Sequence, residues 1–228
     1  MPPIISESNL MGLSLPFNQY LGNKYSQNGE DGVIAEILQR VSQVPLTRWS
    51  CEFGAWDGKF LSNTFYLVEQ GWNAVYIEGD AERYSALKKT CSEWGRIIPI
   101  NSYVDSYSSD ANPLDKILNQ TPIPRDFDVL SIDIDSNDLD VWESLTQYSS
   151  KIVVIEINSS IPPGVFLRHS QWGNGNSFSS TLKVGASKGY TLVCHTGNLI
   201  FVRNDIVKYI RLPDYFKENP EMLYTGPH

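Results

Sequence analysis

Three carboxylates fall within six residues in the segment Asp133-Ile134-Asp135-Ser136-Asn137-Asp138. An apolar run precedes them, so Asp133 and Asp135 end a strand and point to the same side of it. A second apolar run ends in Glu156-Ile157-Asn158, where Glu156 and Asn158 share a side by the same rule. If the two strands are neighbours, four oxygen-bearing side chains converge. Like charges brought together raise one another's pKa unless a cation or hydrogen-bond donors compensate. Oxygen ligands without His or Cys favour a hard cation, Mg²⁺ or Ca²⁺. Asp133, Asp135, Glu156 and Asn158 are therefore a candidate Mg²⁺ site. Two other readings stay open: Asp135 or Asn137 caps a helix starting near Asp138, or Asp133 contacts substrate or cofactor without metal.

Two further acidic residues follow strand-like runs. Glu52-Phe53-Gly54-Ala55-Trp56-Asp57-Gly58 reads E-x-G-x-x-x-G, which departs in spacing from the dinucleotide fingerprint G-x-G-x-x-G. The glycines permit a tight turn and close approach of a ligand to the backbone. The carboxylate repels a pyrophosphate and pairs with a cationic or donor group, which speaks against NAD and for a ligand carrying an ammonium group and hydroxyls. In Ile77-Glu78-Gly79-Asp80, Glu78 stands where a ribose diol is gripped by acceptor oxygens, while Asp80 suits a helix N-cap.

A hydroxyl acceptor needs a base. Besides Asp133, His169 and His195 are candidates, since histidine titrates near neutral pH. His169 lies in an irregular segment, 158–176, of a length typical of lids and binding loops. Phe166, Arg168 and Trp172 in that segment suit a sugar or a phosphorylated acceptor; the alternative is a loop that packs its aromatics on the core.

These residues need a scaffold that brings strand ends to one edge. Helical spacing of Val33, Ile34, Ile37, Leu38 and Val41 predicts a helix closed by Pro45, with Asn28 as its cap. Further helices are predicted over 63–70, 81–94, 113–119, 139–148 and 177–188. Strands are predicted over 49–53, 73–77, 96–100, 127–134, 151–157, 190–194 and 199–202, the last two joined as a hairpin by His195-Thr196-Gly197-Asn198. Strands alternating with helices make right-handed βαβ units and a parallel sheet, to which the hairpin adds one antiparallel strand. Ligands of such doubly wound α/β sheets bind outside the carboxyl ends of the strands. Residues 1–24, with Pro2, Pro3 and Pro16, read as an N-terminal arm, a lid or dimer contact. Residues 25–228 read as one domain.

Composition narrows the function classes. Of 228 residues, 41% are hydrophobic and 19% charged, which excludes disorder over the whole chain. The net charge of −8 gives no general attraction to nucleic acid or to anionic membranes. No apolar run approaches the ~20 residues of a membrane span, and no signal peptide is evident at residues 1–17. Cys51, Cys91 and Cys194 are widely spaced, form no C-x-x-C pair and read as reduced thiols. A cytoplasmic protein is expected.

The chain resembles the class I methyltransferases that use S-adenosylmethionine, and more narrowly the FkbM-type and related sugar or natural-product O-methyltransferases. The resemblance is carried by Y-S-Q-N-G-E-D-G at 25–32, E-F-G-A-W-D-G at 52–58 with Ser62-Asn63-Thr64 after it, Y-I-E-G-D at 76–80, and S-I-D-I-D-S-N-D at 131–138. It implies a Rossmann-like sheet of order 3-2-1-4-5-7-6 with strand 7 antiparallel. It implies that Glu52 and Gly54 line the methionine part of the cofactor and that Glu78 holds its ribose. It further implies that Gln27 and Asn63 reach the cofactor's carboxylate or amine, and that Ser102 sits near the adenine. Metal-dependent O-methyltransferases place an adjacent Asp-Asn pair after strand five; here a residue separates Glu156 from Asn158. The expected activity is methyl transfer to a hydroxyl of a sugar, glycan or small natural product, with Mg²⁺ assisting. The competing readings are an oxidoreductase using NAD or a nucleotide sugar, and a Rossmann-like binding module without catalysis.

Overall fold

The computed structural model describes residues 14–106, 113–170, 173 and 175–227. Seven strands form one sheet: β1 Trp49–Phe53, β2 Asn73–Glu78, β3 Ile97–Asn101, β4 Asp126–Ile132, β5 Ser149–Glu156, β6 Tyr190–His195 and β7 Asn198–Arg203. Their order is β3-β2-β1-β4-β5-β7-β6, with β1 to β5 parallel and β7 antiparallel to both of its neighbours. This is the expected topology. The helices are α1 Glu30–Arg40, α2 Phe65–Glu69, α3 Ala81–Glu93, α4 Leu114–Leu118, α5 Asp138–Ser144, α6 Phe178–Ser187 and α7 Asp214–Glu218.

The β-branched run of β5 explains its central place. Ile152, Val153, Val154 and Ile155 are fully buried, as in a strand covered on both faces. The register sets Phe53 of β1 beside Ile77 of β2 and Ile132 of β4, and Ile132 beside Ile155 of β5. The carboxyl ends of the parallel strands therefore share one edge. The chain order reverses between β1 and β4, which makes that edge a switch point where ligands bind.

Three local features differ from expectation. Helix α1 is capped by Gly29, in the left-handed region at φ 102°, and Asn28 contributes no side-chain cap. The Asn28 amide instead donates to the Glu30 carboxylate at 2.8 Å. Helix α5 stops at Ser144, short of the predicted 148, because the Asp115 carboxylate accepts from the amides of Thr146 at 2.9 Å and Gln147 at 3.0 Å. Those two amides are held outside the helix. The boundary expected at residue 25 falls within packed structure: Phe17 is part of the main core, with the Arg40 guanidinium 4.7 Å from its ring centre. Residues 1–13 of the expected arm lie outside the described residues. Among the described residues no helix is long and apolar enough to cross a membrane.

Candidate active site

A cleft of about 460 Å³ opens at the carboxyl ends of β1, β2 and β4, within the usual size of a small-molecule site. Its lining includes Gln27, Glu52, Gly54, Glu78, Ser102 and Asp133, all of them expected there from the sequence. Gly54 is fixed by close approach. It has φ +76°, and a Cβ at that position would lie 1.6 Å from the carbonyl oxygen of Asp133.

Glu52 is 5% exposed. Its Oε2 accepts from Ser62 Oγ at 2.8 Å, from the Thr64 amide at 3.1 Å and from Thr64 Oγ1. Burial pushes this carboxyl up to about 7; the bonds from Thr64 and Ser62 oppose the rise, and the charge of Asp133 adds to it. A cation in the cleft would offset the burial. Glu78, also 5% exposed, accepts the Trp56 amide on Oε2 at 2.9 Å and the Asp80 amide on Oε1 at 2.8 Å. Each oxygen keeps a second lone pair, so two backbone amides aim the carboxylate without using it up. Asp80 caps α3 as expected, accepting from the amides of Glu82 and Arg83.

The cleft also holds residues that strand-end reasoning missed. Trp56, Phe60, Leu61 and Tyr103 line it while remaining exposed, an apolar rim suited to a flat heteroaromatic ring. Trp56 has φ 47°, its ring packs edge-on to Phe60, and the Arg83 guanidinium lies 4.1 Å from its centre. Asn137 donates to Asp105 at 2.9 Å, joining the segments after β4 and β3.

The acidic centre is partly assembled as expected. Asp133, Asp135 and Glu156 offer carboxylate oxygens that all lie within 4.8 Å of one another. Burial raises Asp133 above the ordinary carboxylate range, and the charges of Asp138 and Asp135 add to it. Burial also raises Glu156, with Asp133 the next contributor. Asp135 and Glu156 line both the large cleft and a second cavity of about 320 Å³, whose other walls include Asn158, Ser159, Ser160, Asn176 and Pro227. The acidic trio thus stands at the junction of two spaces.

Asn158 lines the smaller cavity with Asp135 and Glu156, but its placement does not come from strand alternation. The strand ends at Glu156, alternation stops there, and Asn158 Oδ1 accepts from the Ser160 amide at 3.0 Å in a local turn. The capping alternative also gives way: neither Asp135 nor Asn137 caps α5 through its side chain. Asp138 instead folds back to accept from the amides of Ile134 and Ser136, while Asp135 sits in the left-handed region at φ 57°. Asn63, expected at the cofactor, is buried and donates to Ser131 Oγ at 3.1 Å behind the cleft wall.

Neither histidine lines the cleft or the smaller cavity. His195 is 3% exposed and engages both ring nitrogens, Nδ1 with the Thr225 amide at 3.0 Å and Nε2 with Ser159 Oγ at 3.0 Å. The His169 ring lines neither cavity, and its amide donates to Asn176 Oδ1 at 3.0 Å. Arg168 turns outward to bridge Asp140 and Glu143, both at 2.7 Å, rather than toward an acceptor. Trp172 lies outside the described residues.

No protein-family profile and no curated protein matches the chain. Solved structures do. The CMeT domain of the citrinin polyketide synthase superposes with a TM-score of 0.52 at 15% identity, over 79% of this chain and 54% of that one. The shared fold is Rossmann-like. The CurJ carbon methyltransferase gives 0.49 at 11% identity over 78% and 55%. M. capricolum TrmK, solved with S-adenosyl-homocysteine, gives 0.44 at 13% identity over 72% and 65%. The chain thus spans little more than half the length of the CMeT-domain and CurJ structures, and the likeness at these identities is one of fold.

Proposed function

We propose that this chain binds S-adenosylmethionine in the larger cleft and transfers its methyl group to a hydroxyl of a sugar, glycan or small natural product held in the smaller cavity. The observation that carries this reading is the placement of Asp135 and Glu156 on the wall common to both spaces, with Asp133 beside them. A group at that junction faces the cofactor on one side and an acceptor on the other.

The charge of the cleft supports a cationic ligand. Six carboxylates line it, from Glu52, Glu78, Asp80, Asp133, Asp135 and Glu156, against the single cation of Arg83. A sulfonium with an ammonium group gains from that field, and a pyrophosphate is repelled by it. Glu78 is aimed for the ribose diol, and the aromatic rim suits the adenine. Gln27 and Ser102 are placed to complete the polar contacts.

Methyl transfer asks the protein to align the acceptor oxygen in line with the methyl group and to take its proton. Asp133 and Glu156 are assigned the proton. Burial makes them stronger bases than free carboxylates, so they match a weakly acidic hydroxyl better. The oxygens of Asp133, Asp135 and Glu156 also fit a hard divalent cation. With such an ion bound, those three residues would hold Mg²⁺ in place of taking the proton, and the ion would lower the pKa of an acceptor hydroxyl. The buried free thiols Cys51, Cys91 and Cys194 accord with a cytoplasmic location.

The test is transfer of radiolabelled methyl from S-adenosylmethionine to a panel of hydroxylated sugars and phenols. Transfer that survives in the wild type and falls by about 10²-fold or more in Asp133→Asn supports the assignment. Equal transfer by both proteins removes Asp133 from the chemistry.

A further inference from the structure

We infer that His195 is a positioning residue of the acceptor site: it ties residues 224–227 to the loop after β5 and so sets one wall of the smaller cavity. This rests on reading that cavity as the acceptor site.

The contacts are specific. The Thr225 amide donates to Nδ1 of His195 at 3.0 Å, and Thr225 Oγ1 lies 3.0 Å from the same nitrogen. A nitrogen that accepts from a backbone amide carries no proton of its own, so in the neutral ring Nε2 bears it. Nε2 then donates to Ser159 Oγ at 3.0 Å. The Tyr224 hydroxyl closes the circuit by donating to the Ser159 carbonyl. The Tyr224 ring stacks on His195 at 5.1 Å and 13°, and Phe178 packs edge-on against both.

Each end of this circuit reaches the cavity. Ser159 lies between Asn158 and Ser160 on one wall, and Pro227, two residues beyond Thr225, forms another. The cavity is bounded on that side by a segment that carries no regular secondary structure after Leu223. A segment of that kind is placed by its side-chain bonds, and here those converge on one imidazole. His195 does not touch the acceptor or the acidic trio in this arrangement. Its role is to fix the distance between two walls, and so the size and orientation of the hydroxyl compound that fits between them and Glu156.

Two variants test this. His195→Phe keeps a ring against Tyr224 and Phe178 and removes both nitrogens. Tyr224→Phe keeps the stack and removes only the hydroxyl bond to Ser159. Amide hydrogen exchange needs no acceptor: at Ser160, Ile161 and Thr225 it should rise by about tenfold in each variant, the equivalent of one buried hydrogen bond. S-adenosylhomocysteine affinity should stay within about twofold. With an acceptor from the methyl-transfer panel, KM should rise about tenfold while kcat changes little, the pattern of lost uniform binding. His195→Gln, which restores a donor toward Ser159, should recover part of the loss.

Unchanged exchange in both variants overturns the inference. A fall in kcat with KM unchanged also overturns it, because His195 would then act in the chemical step. If His195→Phe does not fold, His195→Gln decides, since it loses the acceptor that the Thr225 amide meets and exchange at Thr225 should still rise. Faster exchange in the variants, with no adenosyl ligand bound by the wild type, would leave the tie standing and sink the methyltransferase reading instead.

Discussion

The Cβ that Gly54 lacks would lie 1.6 Å from the carbonyl oxygen of Asp133. The turn after β1 and the end of β4 are thus in direct backbone contact, and the β1 side of the cleft is built against the acidic centre. Any side chain at 54 must push the two strands apart or abandon φ +76°.

Gly54→Ala is therefore expected to cost stability and binding together. A left-handed non-glycine residue with a backbone clash costs of order 1–3 kcal/mol. Thermal melts should show a lower Tm, and S-adenosylhomocysteine binding should be lost. An unchanged Tm with full binding would mean that the turn is not held against Asp133.

Glu78→Gln places an amide NH₂ against one of the two backbone amides that Glu78 accepts, those of Trp56 and Asp80. A donor facing a donor leaves a buried group unsatisfied, at about 1–3 kcal/mol. Calorimetry should show cofactor affinity weakened by about 10- to 100-fold, with Glu78→Ala no better. Affinity within about twofold of wild type would remove Glu78 from the ribose site.

The pH dependence of stability follows from Glu52. Burial raises its carboxyl from 4.5 to about 7. Between those values the folded protein holds a proton that the unfolded chain has lost, so stability falls as pH rises through that window. Urea melts at about pH 5 and about pH 8 should differ less in Glu52→Gln than in wild type. A cationic cofactor favours the ionised carboxylate, so its affinity should rise as pH passes through about 7 in wild type and change less in the variant.

Asn63→Ala tests a residue that the cleft does not use. Its side chain donates to Ser131 Oγ and does not line the cleft. The variant should lose about 1 kcal/mol of stability with cofactor affinity retained. Lost affinity at unchanged Tm would return Asn63 to the binding site.

Strand ends were legible in the sequence, and loop side chains were not. Glu52, Glu78 and Asp133 end or follow apolar runs whose alternation fixes both position and direction. The parallel sheet then gathers them without further information. Asn158 lies past Glu156, where β5 has ended and alternation no longer says which way a side chain faces. Asn63 failed because a turn has no period to say which way a side chain faces. His195 was a base candidate by residue type, and its partners Ser159 and Thr225, which come from distant segments, carry no sequence signal. Trp56, Arg83 and Tyr103 carry no pattern at all, and only the folded cleft brings them to one rim.

The most direct test of the central claim is calorimetric titration with S-adenosylmethionine and S-adenosylhomocysteine, with NAD as control, in Mg²⁺ and in EDTA. Binding of both adenosyl ligands at about micromolar Kd, some 8 kcal/mol, is the predicted result, with loss in Glu78→Ala and no response to NAD. No binding of either adenosyl ligand under either condition, or binding of NAD in their place, would contradict it.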